Sequence, residues 1–215
     1  DISWNANPEL SHERKKEFNY GFNFGILGNK LHGSLDFFRS QSKDLIMQVY
    51  EPSPELSNYT WLNPNQLSSK GMEINLFFDL IRKENFSWNG QLHLSKFKTT
   101  LDTWDGGSLG VHIGAPGFCC IPAFRTEEGE QLGNMYGFLV EEIGDDGFAD
   151  YVDVEDIPDD MVEIGNGMPN SFIGWHNQIQ YKSFEFDFFI RGAFGHELAN
   201  LTRLAYERNE NPPWG

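Results

Sequence analysis

From Phe18 to Ile26 every second residue is large and apolar: Phe18, Tyr20, Phe22, Phe24 and Ile26 alternate with Asn19, Gly21, Asn23 and Gly25. Successive side chains of an extended chain leave opposite faces, so such a run predicts a strand with one side in an apolar medium and the other in a polar one. The pattern recurs along the chain. A second strand sets Leu31, Leu35 and Phe37 against His32, Ser34 and Asp36, and resumes through Leu45, Met47 and Val49 to Tyr50. A third sets Met72, Ile74, Leu76, Phe78 and Leu80 against Glu73, Asn75 and Asp79. The fourth sets Phe86, Trp88, Leu92 and Leu94 against Ser87, Asn89, Gln91, His93 and Ser95, and runs on towards Trp104. A fifth carries Ile173, Trp175, Ile179 and Tyr181 opposite His176, Gln178 and Gln180. The sixth sets Phe184, Phe186, Phe188 and Ile190 against Glu185, Asp187 and Arg191.

The connections alternate as well. Residues 28–30, 82–85 and 181–183 read as tight turns, whereas 51–70 and 105–170 read as long loops. Short turns at one end and long loops at the other is the layout of an outer-membrane barrel, with the long loops outside the cell. Each alternating segment has about 9–11 residues, enough to cross a bilayer when tilted. Phe86, Trp88, Tyr181 and Phe184 gather by the short turns, where an interfacial aromatic girdle sits. The fold class predicted is all-β: an antiparallel transmembrane barrel segment of about six strands. Phe22, Leu76, Leu92, Ile179 and Phe188 are expected to face lipid, and Asn23, Asn75, Gln91, Gln178 and Asp187 the lumen.

A soluble β-sandwich alternates in the same way. The polar faces separate the two readings: they hold Asp36, Glu73, Asp79, Glu185, Asp187 and Arg191 among Asn, Gln and Ser, with few lysines, as suits a wet lumen. Six strands are fewer than the roughly eight of the smallest common barrels, and an open sheet in lipid leaves edge groups unpaired. The 215 residues are therefore expected to be part of a longer chain.

Composition sharpens this picture. The chain is 39% hydrophobic, with 22 Gly, 19 Phe, 7 Tyr and 6 Trp, which favours strands and turns over helices. It has no apolar run of the roughly 18 residues that a membrane-spanning helix needs. A formal net charge of −16 repels phosphate backbones and argues against a nucleic-acid partner. Cys119 and Cys120 are adjacent and cannot staple distant elements.

The residues also resemble a known family. Asn7-Pro8-Glu9-Leu10-Ser11 with Glu17-Phe18-Asn19-Tyr20-Gly21, then Gly33-Ser34-Leu35-Asp36-Phe37-Phe38 and Lys43-Asp44-Leu45-Ile46, resemble a mid-barrel hairpin of the SusC/RagA-like TonB-dependent transporters of Bacteroidetes. Ser69-Lys70-Gly71-Met72-Glu73, Gly133-Asn134-Met135-Tyr136-Gly137-Phe138 and the stretch from Met168-Pro169-Asn170 to Gly195-His196 continue the likeness in order. The resemblance implies a barrel of about 22 strands closed by an N-terminal plug. It also implies a SusD-like surface lipoprotein as lid, outer-membrane lipid around the wall, and import of oligosaccharides or peptides with energy from the TonB complex. On this reading residues 1–215 are one part of the barrel domain, with the plug and closing strands elsewhere. The alternatives are a surface adhesin or secretion-associated barrel, and a soluble β-sandwich binding module.

Candidate chemistry is sparse. The six histidines (His12, His32, His93, His112, His176 and His196) fall on different elements without metal-ligand spacing, and no nucleophile elbow or phosphate-cradling loop occurs. No catalytic residue, metal site or cofactor is expected. Residues 126–163 hold fourteen acids and no Lys or Arg. Around Asp153, Asp156 and Asp159 the Gly that folds a calcium loop is missing, so a solvated acidic loop is the simpler account. Substrate contact is expected from loop aromatics instead, namely Tyr59, Trp61, Trp104 and Tyr136, because flat rings with polar edges stack on sugars and on peptide side chains. Packing within a loop or girdle is the plainer role for each.

Overall fold

A computed structural model describes residues 5–50, 59–105, 110–111, 123–145, 149–152, 160–200 and 202. Its main body is one antiparallel sheet of β1 (Arg14–Ile26), β2 (Leu31–Tyr50), β3 (Tyr59–Lys83), β4 (Phe86–Trp104), β11 (Ser171–Tyr181) and β12 (Phe184–Phe194), hydrogen-bonded in that order. All six predicted strands are present and each pairs with its sequence neighbour or, for β4 and β11, across the long connection. Between them lie β5 (Gly110–Val111), β6 (Phe124–Arg125), β7 (Asn134–Gly137), β8 (Val140–Ile143), β9 (Ala149–Tyr151) and β10 (Val162–Asn166). These short strands form a small sheet, ordered β10-β7-β6-β5, and a separate β8-β9 pair.

Three tight turns join the hairpins at one end. Leu27, Gly28 and Asn29 take positive φ of 55°, 65° and 68°, the left-handed backbone that lets a four-residue turn close on the Ile26–Leu31 pair. Glu84–Asn85 and Lys182–Ser183 are two-residue turns, closing on Lys83–Phe86 and Tyr181–Phe184.

At the other end the structure departs from expectation. Residues 59–70, expected as loop, are strand: β3 runs for 25 residues, which at about 3.3 Å per residue and a tilt of about 40° is some two and a half times the height of the roughly 25 Å apolar band of an outer-membrane barrel. The alternation that reveals a strand needs two different media on its faces. Beyond the membrane no lipid sets one face apart from the other, so Tyr59–Lys70 pairs through its backbone without the hydrophobic period. Asp44 also interrupts β2: at φ 58° it is the extra residue of a bulge between the Lys43–Gln66 and Leu45–Asn65 pairs, so the alternation of the inner half does not carry unbroken through Leu45, Met47 and Val49. The 105–170 connection is likewise only partly loop. Beyond the end of β11 it lies along β4: the Leu132 amide donates to the Thr99 carbonyl at 3.1 Å, the Leu101 amide to the Glu130 carbonyl at 2.9 Å, and Phe97 to Asn170 at 2.9 Å. This segment thereby continues the wall upward where β11 stops.

Paired residues share a face, so the register sorts the side chains. One face carries in successive rows Phe22–Leu35–Ile74–Leu94–Ile173, then Phe24–Leu76–Leu92–Trp175–Ile190, then Ile26–Leu31–Phe78–Phe188, and at the short turns Phe86–Tyr181–Phe184. The opposite face carries Asn23–Ser34–Asn75–His93–Arg191 and, one row on, Asp36–Glu73–Ser95. Phe22, Leu76, Leu92, Ile179 and Phe188 thus fall on one side and Asn23, Asn75, Gln91, Gln178 and Asp187 on the other, as alternation predicts. The sheet has almost no core of its own: Phe22 is 55% exposed, Phe186 61% and Phe184 77%. A surface of that kind in water would be a large unpaid apolar patch, and lipid is the medium that covers it.

A polar residue, Asn177, sits within the Ile26–Leu31–Phe78–Phe188 row. Asn177 is fully buried, and the Trp88 indole N–H donates to its Oδ1 at 3.1 Å. Gly90, opposite it, leaves the room: a Cβ there would lie 2.6 Å from the Phe78 ring.

Candidate functional site

The polar face is a continuous hydrogen-bonded wall. Asn75 Nδ2 donates to Ser34 Oγ at 3.1 Å, and its Oδ1 lies 2.6 Å from His93 Nδ1. Phe77 stacks on His32 at 5.2 Å and meets His93 edge-on at 6.2 Å. Towards the short turns, His176 Nε2 lies 2.7 Å from Asp187 Oδ2, and Gln178 donates to Glu185 at 2.5 Å. These cross-strand pairs hold amides, carboxylates and imidazoles in fixed positions while leaving them half open to the inner space. Asp153, Asp156 and Asp159 lie outside the described residues, as do Cys119 and Cys120.

Recesses indent this wall among the described residues. One of about 350 Å³ places Glu73 and Arg191 at its sides, with Asn75, His93, Phe172 and Phe189 between them. A second, about 510 Å³, is lined by Asn23, Asn29, His32, Ser34 and Phe77. A third, about 570 Å³, lies further out among Lys15, Glu17, Ser40, Ser69, Glu73 and Thr99. Each combines a flat ring with hydrogen-bonding groups, and the first and third add charges of both signs. Such surfaces suit oligomers with polar edges and apolar faces.

The four aromatics expected to touch substrate are dispersed. Tyr59 and Trp61 start β3, two residues apart and so on one side of it, at 45% and 37% exposure. Tyr50, across the register from Tyr59, meets it edge-on at 5.6 Å on the rim, with Trp61 two residues further along β3. The N-terminal segment braces that rim: the Asn5 amide donates to the Tyr59 carbonyl at 2.7 Å, and Asn7 Nδ2 to the Trp61 carbonyl at 2.9 Å. Trp104 ends β4 opposite Asn65, four residues along β3 from Trp61, with its amide donating to Glu128 at 2.6 Å. Tyr136, on β7, is only 6% exposed. Its hydroxyl lies 2.6 and 2.7 Å from the Glu130 carboxylate, and the Arg125 guanidinium covers the ring at 4.1 Å. Burial, reinforced by the Glu130 carboxylate, pushes its phenol pKa up. A substrate could reach this ring only by displacing Arg125.

Sequence reasoning passed over Tyr50, Glu73 and Arg191 as site residues. Their signal is purely tertiary: only the register brings a strand end, a β3 acid and a β12 base to common places.

Residues 2–117 match the family described as TonB dependent receptor-like, beta-barrel. Two curated relatives come from Formosa agariphila. TonB-dependent receptor P3 is 26% identical over 93% of this chain, and TonB-dependent receptor P26 is 24% identical over 91%. The chain spans 22% of the length of each. Among solved structures it resembles the RagAB peptide importer in its open-open state, with TM-score 0.71 at 16% identity, over 91% of this chain and 22% of that one. A second structure of the RagAB peptide transporter gives TM-score 0.66 with the same identity and coverage.

Proposed function

Because the chain belongs to the TonB-dependent receptor β-barrel family and lies in the outer membrane, we propose that it forms a sector of wall and outer loops in an importer of oligomeric nutrients. The observation that carries this reading is the two-faced sheet. One face is a continuous apolar surface, and the other a hydrogen-bonded polar wall with recesses, as a wide solvated pore in lipid requires. Residues 1–215 are then one part of the barrel domain. Its remaining strands and the plug lie elsewhere in the protein, and that plug couples to the TonB complex. A SusD-like surface lipoprotein seats on the long loops as a lid.

Short peptides are the substrate class the wall suits best. The recess between Glu73 and Arg191 offers both charges beside Phe172 and Phe189, matching the mixed edges of a peptide. The RagAB neighbours, described as peptide importers, are consistent with that choice. A neutral oligosaccharide is the second reading, favoured by the Tyr50–Tyr59–Trp61 rim, where rings can stack on sugar faces. Tyr59 and Trp61 are proposed as first contacts in either case, with Trp104 and Tyr136 on the loop side of the rim.

The test is growth of a strain carrying the full-length gene on defined peptides or glycans as sole nutrient. Glu73→Gln with Arg191→Gln should slow growth on peptides and spare growth on glycans. Tyr59→Ala with Trp61→Ala producing the reverse would transfer the proposal to oligosaccharides. Unimpaired growth on every nutrient after deletion of the whole gene would remove the import reading.

A further inference from the structure

The outward face ends in a row of cations that the import reading does not use. Just outside the Tyr20–Phe37–Met72 row, the register sets Arg39, Lys70 and Lys98 side by side on three adjacent strands, with Lys96 paired to Met72 one row inward. All four are exposed. Like charges directly opposite one another destabilise a sheet. Here they stand in a chain whose formal net charge is −16, where carboxylates are plentiful. Yet Glu17, Asp36, Glu73, Asp79, Glu185 and Asp187 fall on the opposite face, while Asp44 is paired with Arg14 and Asp102 accepts hydrogen bonds from Ser68 and Gln66 further out. Among the described residues Lys70, Lys96 and Lys98 make no ion pair. Arg39 likewise makes no ion pair among the described residues.

The position of the row is as specific as its charge. On β4, Phe86 by the short turn and Lys96 are ten residues apart. At about 3.3 Å per residue and a tilt of about 40°, that is roughly 25 Å along the membrane normal, the height of the apolar band. The cations therefore sit at the level of the outer-leaflet headgroups and face away from the lumen. A groove of about 590 Å³ runs beneath them, with Tyr20 and Phe37, stacked at 5.3 Å, in its floor and the four cations at its edge. The groove is continuous with the lipid-facing rows below.

The geometry points to a binding site for a phosphorylated acyl lipid of the outer leaflet. The cations hold its phosphate, and an acyl chain lies in the groove over Tyr20 and Phe37. An anion at this position relieves the mutual repulsion of Arg39, Lys70 and Lys98. The apolar floor selects a lipid phosphate over a free one. The inference rests on the barrel's place in the outer membrane and is independent of what the pore transports.

The test uses the full-length protein in phosphatidylcholine nanodiscs doped with phosphorylated lipid A or with its dephosphorylated form, and counts retained lipid by native mass spectrometry. The unaltered protein should retain the phosphorylated lipid well above the dephosphorylated one, and inorganic phosphate should not displace it. Each of Lys70→Gln, Lys96→Gln and Lys98→Gln should weaken retention about fivefold, the contribution of one cation near an anionic lipid surface, while Lys98→Arg should preserve it. Equal retention of the two lipid forms by the unaltered protein would overturn the proposal, and that comparison needs no variant to fold. Displacement by inorganic phosphate would overturn it as well, by making the site one for a soluble anion.

Discussion

Replacing Leu76 with arginine puts a charge near the middle of the apolar face. Leu76 is six residues along β3 from Lys70, in the cation row, and seven from Lys83 at the short turn. Measured through its partner Leu92, four residues from Lys96 and six from Phe86, the ends of the roughly 25 Å band are about 10 and 15 Å away along the normal, at about 3.3 Å per residue and a tilt near 40°. An arginine side chain spans only part of either distance, so its guanidinium cannot escape fully into either headgroup layer. A charge held at this depth on the lipid face of a barrel costs about 2–4 kcal/mol. Asn75→Arg, one residue away, sends the same charge into the wet interior. It loses the contacts to Ser34 and His93, at 3.1 and 2.6 Å, which together are worth about 1–2 kcal/mol where water can replace them. Equilibrium urea unfolding of the full-length protein in phosphatidylcholine vesicles, followed by tryptophan fluorescence and heat-modifiable mobility, measures both. Leu76→Arg should lower stability by at least 1 kcal/mol more than Asn75→Arg. Equal losses, or a larger loss at Asn75, would refute the assignment of faces.

Trp88→Phe should cost about 1–2 kcal/mol in the same assay, because it strips the donor from the buried Asn177 Oδ1. Adding Asn177→Leu should recover most of that loss, and a strictly additive double variant would show that the bond contributes nothing. Tyr136 should ionise above the ordinary tyrosine value of about 10, since its burial and Glu130 favour the neutral phenol. With the folded pKa raised, its contribution to loop order is complete below pH 10 and is lost as pH rises through the folded value. Absorbance titration near 295 nm against Tyr136→Phe isolates it, and an ordinary titration would refute the packing. Excising residues 140–160 should leave a heat-resistant barrel, because Glu130–Leu132 and Asn170 keep their bonds to β4. Nutrient uptake or lipoprotein docking should fall, and unchanged growth and docking would show that the loop is dispensable.

Residue pattern alone determined the membrane-embedded half of this protein. Two media impose a period of two on any strand between them, so Phe18–Ile26, Phe86–Ser95 and Phe184–Arg191 declare both their conformation and their faces. The turn at Leu27–Lys30 is legible for a related reason: Gly28-Asn29 tolerates the left-handed backbone that a tight reversal requires. Beyond the band the code lapses. Tyr59–Lys70 lies beyond the acyl layer, its pairing rests on backbone bonds common to all residues, and only the assembled sheet reveals it. The same holds for relations between strands. Arg39, Lys70 and Lys98 are three isolated basic residues in the sequence, as are Glu73 and Arg191, and alternation says nothing of who faces whom. Register decides that, because it is set by the turns and by the bulge at Asp44 acting together over the whole sheet.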